Sequence, residues 1–137
     1  MIVADTGAIL ALIDADDANH ERVLGLYEED PGAWLLPWAV LAEIDYLLLK
    51  ELGLEVELAF TRDLAEGLWP IEWGTMADIA RAAELCERHR DLELGLVDGV
   101  VAAVAERLGA SAIATLDERD FGALELAGSP RLLPRDA

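Results

Sequence analysis

Leu94-Gly95-Leu96-Val97-Asp98-Gly99-Val100-Val101-Ala102-Ala103-Val104-Ala105-Glu106-Arg107-Leu108-Gly109, and then Ala112-Ile113-Ala114-Thr115, is the part of the chain that settles the fold class. The first segment is apolar at helical spacing and stops at a glycine suited to a helix C-terminus. The second is a short apolar run, the pattern of a strand buried on both faces. Similar short runs occur at Ile2-Val3-Ala4, Trp34-Leu35-Leu36, Leu68 to Trp73 and Arg131-Leu132-Leu133. Pro70 pushes the third of these toward a sheet edge, because proline cannot donate to a ladder. Helical patterns separate the runs: Ala8 to Ile13, Asn19 to Glu29, Trp38 to Leu52, Glu55 to Glu66 and Thr75 to about Arg90. Thr75 with Asp78 three residues on resembles a capping box. Trp38 to Leu52 is apolar almost all round, which predicts burial or an interface. Strands alternating with helices predict an α/β fold, a central mostly parallel sheet flanked by helices in three layers. Residues 1–137 read as a single domain, with 54% hydrophobic and 28% charged residues, and so as globular.

Asp98 is out of place in its helix. A carboxylate enters an apolar segment with no Lys or Arg near it in sequence, and burying an unpaired charge costs several kcal/mol. Asp5, Glu43 and Asp117 repeat the pattern at the edges of other apolar segments. In an open parallel sheet, ligands collect beyond the carboxyl ends of the strands. Asp5 ends one strand, Asp117 lies just past another, and Asp98 and Glu43 stand early in helices. All four can meet at one rim, where their repulsion favours a divalent cation. An all-oxygen ligand set suits Mg²⁺ or Mn²⁺; no Cys and His cluster exists for zinc. His20 and His89 read as solvated surface, and Cys86, the only cysteine, as a small apolar filler. Each acid also has a plainer role open to it. Asp5 and Asp98 suit helix caps, Asp117 suits a turn, and Asp45 is expected to be exposed.

Twenty-eight acids against ten bases leave a net charge of −18. That argues against non-specific nucleic-acid binding through phosphate contacts. It leaves open a nuclease whose metal ions supply the positive charge. It also favours a basic partner. No apolar run approaches a membrane span, the N-terminus lacks signal-peptide features, and one cysteine permits no internal disulfide; a cytoplasmic protein with no membrane partner is expected.

The sequence resembles the PIN-domain ribonucleases, and in size and pattern the VapC-type toxins of toxin–antitoxin pairs. The resemblance rests on Ile2-Val3-Ala4-Asp5-Thr6, Leu41-Ala42-Glu43, Leu96-Val97-Asp98 with Ala102-Ala103, and Thr115-Leu116-Asp117-Glu118-Arg119-Asp120-Phe121, in that order along nearly the whole chain. It implies a Mg²⁺- or Mn²⁺-dependent endoribonuclease acting on RNA. It implies Asp5 and Asp98 as principal metal ligands, Glu43 and Asp117 completing the site, and Thr6 and Thr115 as supporting hydroxyls. Asp120 competes with Asp117 for the fourth place. A cognate antitoxin and a homodimer are implied as well. The alternative is a PIN-like binding module without nuclease activity that acts through protein partners.

Two other readings fail on the residues. Asp5-Thr6-Gly7 matches the aspartic-protease signature, but helical periodicity follows where a β scaffold is needed. A phosphoacceptor receiver would want a lysine late in the chain, and Lys50 is the only lysine.

Overall fold

The five apolar runs become five strands: β1 (Ile2–Ala4), β2 (Trp34–Pro37), β3 (Ile71–Glu72), β4 (Ala112–Ala114) and β5 (Arg131–Leu133). All 137 residues are described in the structure, which is a computed structural model. The helices are α1 (Thr6–Ile13), α2 (His20–Glu29), α3 (Trp38–Glu51), α4 (Leu54–Ala65), α5 (Met76–Arg88), α6 (Leu96–Leu108) and α7 (Glu118–Ala123). The sheet order is β3-β2-β1-β4-β5, and every neighbouring pair is parallel. Helices flank this sheet, as the alternation of patterns predicts.

The strand order places the functional rim. From β1 the chain steps outward through β2 to β3, then returns to the other side of β1 for β4 and β5. The direction reverses between β1 and β4, and such a reversal opens a crevice at the strands' carboxyl ends. Ala4 is level with Ala114, and the Asp5 amide donates to the Ala114 carbonyl at 2.8 Å. Asp5 and Thr115 therefore leave adjacent central strands together.

The core explains why α6 looks apolar on all sides. Gly99 through Ala105 are buried without a break, so this helix is covered all round. A Cβ at Gly99 would stand 2.9 Å from the Ala82 Cβ; only glycine allows α5 to come this close. Helix α3 buries one stripe, Val40, Ile44 and Leu48, while Tyr46 is 62% and Leu49 49% exposed. Of burial or an interface, the chain by itself therefore provides burial for one face only.

The capping box at Thr75 and Asp78 forms in full. Asp78 is 2% exposed, and Arg107 meets its need for a cation, with Nε donating to Oδ1 at 2.7 Å. β3 is an edge strand as Pro70 requires, though only two residues long. Three other readings change. α7 stands where a turn was expected. His20 is partly buried, with Nδ1 2.8 Å from the Ala11 carbonyl. His89 and Asp45 are half-buried rather than exposed.

Candidate active site

Asp5 occupies the position before α1, but its side chain caps nothing. It is 7% exposed, and its Oδ2 accepts a hydrogen bond of 2.9 Å from Thr115 Oγ1. Thr115 is fully buried, and its Oγ1 accepts in turn from the Asp117 amide at 3.0 Å. One hydroxyl thus ties the exits of β1 and β4 together. Desolvation raises the Asp5 pKa most, the Thr115 bond opposes it, and the charges of Glu43 and Asp117 raise it further.

Asp98 lies in the first turn of α6. The cap of that helix is Gly95, and the Asp98 side chain forms no hydrogen bond. The helix-cap role is therefore ruled out for this residue. Burial, with the charges of Asp5, Asp117, Asp120 and Glu43, pushes its pKa up to about 7. Asp117 does cap a helix, as its Oδ1 accepts from the Asp120 amide at 3.0 Å. Asp120 is raised by desolvation and by Asp117, and its Oδ1 is buried with no partner.

Asp98, Asp117 and Asp120 each place a carboxylate oxygen within 4.8 Å of the others. Both candidates for the fourth acid are therefore present. Asp120 is drawn in because α7 turns it back beside Asp117. Glu43 stands farther out: it is exposed on α3 and felt by Asp5 and Asp98 as charge. Thr6 is buried beside Asp5 with an unpartnered Oγ1.

None of the six ion pairs of the protein involves these acids. The contrast with Asp78 is informative, because there a buried acid has its arginine. Here an orphaned carboxylate oxygen and an all-oxygen donor set converge with no cation, which fits a hard divalent metal ion. The site is an open rim. A hollow of about 420 Å³ between α7 and β5, lined by Phe121, Leu132 and Arg135, has none of these acids in its lining. An open acidic rim admits a chain-like substrate more readily than a small molecule.

The fold and rim agree with what known proteins show. The sequence profile of the PIN domain matches residues 2–125. This chain belongs to the PIN-domain family. Among its relatives, Ribonuclease VapC26 of Mycobacterium tuberculosis is 34% identical over 130 residues, covering 95% of this chain and 96% of that protein. The crystal structure of Mycobacterium tuberculosis VapC20, described as a sarcin-ricin loop cleaving toxin, matches this PIN domain with a TM-score of 0.81. The identity there is 25%, over 95% of this chain and 99% of that one. VapBC2 of Rickettsia felis, solved bound to a promoter DNA fragment, shares the fold. Its TM-score is 0.69 at 18% identity, over 96% and 97% of the two chains. The resemblance read from the sequence is thereby borne out.

The raised carboxyls of this PIN domain make its metal-free stability depend on pH. Between about pH 4 and pH 7 the folded protein holds a proton at Asp98 that the unfolded chain has released. The unfolded state binds fewer protons there, so stability falls as pH rises through the window and is lowest above it. Asp5 and Asp120 act in the same direction. Asp136 and Glu106, whose pKa values are lowered, exert their opposite effect only at more acid pH. We expect the melting temperature in chelator to drop by a few degrees between about pH 5.5 and pH 8, and the drop to shrink in Asp98→Asn. A melting temperature that rises over this range would contradict the electrostatic picture.

Proposed function

We propose that this PIN domain is a Mg²⁺- or Mn²⁺-dependent endoribonuclease that hydrolyses RNA phosphodiester bonds, and the toxin of a toxin–antitoxin pair. The observation that carries this is the convergence of Asp98, Asp117 and Asp120 with no cation partner, beside the hydrogen-bonded Asp5. Ribonuclease VapC26 supports the reaction class through its overall identity. Asp98, Asp117 and Asp120, with Asp5 and the outlying Glu43, would hold the ion. Bound there, a divalent ion lowers the pKa of water and stabilises negative charge on phosphate oxygens.

The chain's own groups have separable tasks. Thr115 fixes Asp5 and the turn into α7 in one arrangement, so the carboxylates do not have to be gathered at each turnover. Asp117 keeps one oxygen on the Asp120 amide and directs the other to the rim. Asp98, whose side chain is free of hydrogen bonds, is the acid best placed to accept a proton from the attacking water. Similarity to Ribonuclease VapC26 favours this reading over a binding module without nuclease activity.

A cognate antitoxin with basic side chains suits the surplus of acid, and self-association suits the exposed Tyr46, Leu49, Leu54 and Leu58 on α3 and α4. No helix of the protein is long and apolar enough to cross a membrane, and the cytoplasm is where its RNA substrate would be met. The test is incubation of the purified protein with a mixed RNA pool. Cleavage should appear with Mg²⁺ or Mn²⁺, cease in chelator and return on adding metal. RNA left intact under all three conditions would refute the proposal.

A further inference from the structure

The carboxylates gathered at the rim are all negative when ionised, yet an RNA substrate is itself an anion. Asp5, Glu43, Asp98, Asp117 and Asp120 repel a phosphodiester, and three ionised carboxylates outweigh a single divalent ion. Arg81, Arg90, Arg107 and Arg135 are engaged by carboxylates, and Arg22 donates to the Pro134 carbonyl. Arg62, Arg88 and Arg131 also form no ion pair, but they stand on α4, at the end of α5 and at the start of β5. Arg119 is the basic residue that the chain sets among the acids of the rim. It stands on α7 between Asp117 and Asp120, is exposed, and forms neither an ion pair nor a hydrogen bond. Its isolation has a geometric cause. Helix neighbours one and two residues apart do not face each other, which is why Arg119 pairs with neither of the acids that flank it in sequence. It is still close enough for its charge to oppose the rise in the Asp120 pKa.

We propose that Arg119 binds an RNA backbone phosphate neighbouring the one that is cleaved, and so sets substrate affinity and register at the acidic rim. This rests on the nuclease reading above. An arginine suits the task because its planar fork of donors meets phosphate oxygens in pairs and stays charged at any working pH. Standing one helix position from the acids, it holds the strand without entering the reaction.

The test compares the parent with Arg119→Gln and Arg119→Lys on a labelled RNA oligonucleotide in Mn²⁺. For Arg119→Gln we expect KM to rise roughly tenfold with kcat within about twofold. The slope of log affinity against log salt should shrink by about 0.7, the share of one phosphate contact on a single strand. Arg119→Lys should fall between the two, and the melting temperatures of all three should agree. A second arm measures binding of the same RNA to Asp98→Asn protein with and without Arg119→Gln, so the contact is read even without turnover. A parent that binds RNA but does not cut it would count against the nuclease reading, while weaker binding by Arg119→Gln would still uphold the contact. An Arg119→Gln variant with unchanged KM, binding and salt slope would overturn the inference. So would a loss seen only in kcat together with a lower melting temperature.

Discussion

Asp98→Asn is expected to abolish RNA cleavage, by roughly a thousandfold or more, in a protein that folds normally. The substitution keeps the side chain's size. It breaks no cap and no hydrogen bond, because Gly95 is the cap of α6 and the Asp98 side chain has no hydrogen-bond partner. What it removes is negative charge from a place where charge is costly. The metal-free variant should therefore be more stable than the parent above pH 7, by about 1 kcal/mol once the solvent still reaching Asp98 is allowed for. Loss of activity with a gain of stability distinguishes a functional acid from a structural one. Cleavage assays beside circular dichroism and thermal melts check both halves. A folded variant that cuts at the parent's rate would remove Asp98 from the site.

Thr115→Val should damage the protein in the opposite manner, through structure first. Valine matches threonine in shape but carries no hydroxyl, so the buried Asp5 carboxylate and the Asp117 amide each lose a partner. Leaving two such groups unsatisfied should cost about 2–3 kcal/mol. Cleavage should fall by about 10–100-fold as Asp5 loses its fixed position. Thr115→Ser, which keeps the hydroxyl, should retain most of both. Thermal melts and initial cleavage rates on the three proteins decide the matter. A valine variant as stable and active as the parent would mean that the relay is incidental.

Much of this was legible in the chain because the central strands β1 and β4 are almost wholly buried. Val3, Ala4 and Ala112 to Ala114 have no solvent face, so these strands read as continuous apolar runs whatever their neighbours. Asp98 was legible for the converse reason, since a lone acid in an apolar helix must be explained. What escaped the sequence depends on local closure. Glu118 to Ala123 is too short for helical periodicity to register, so α7 passed for a turn. The Asp117-to-Asp120 spacing, a cap residue with an acid three positions on, was the signal available for it. Without α7, nothing draws Asp120 in beside Asp117. The hydroxyl relay through Thr115 was out of reach for a different reason. It joins residues 110 positions apart, and only the alignment of β1 with β4 creates it. On α3, the sequence could not say which apolar residues the chain itself covers, because periodicity reports a residue's type and not its cover; Tyr46 and Leu49 are exposed.

If Asp98, Asp117 and Asp120 form a divalent metal site, calorimetric titration of Mn²⁺ into the chelator-stripped protein should show saturable binding to the parent. Binding should weaken at least about tenfold in Asp98→Asn and in Asp120→Asn, whereas Asp45→Asn, outside the cluster, should bind like the parent. No binding heat in the parent at millimolar Mn²⁺, or equal binding by all four proteins, would contradict it.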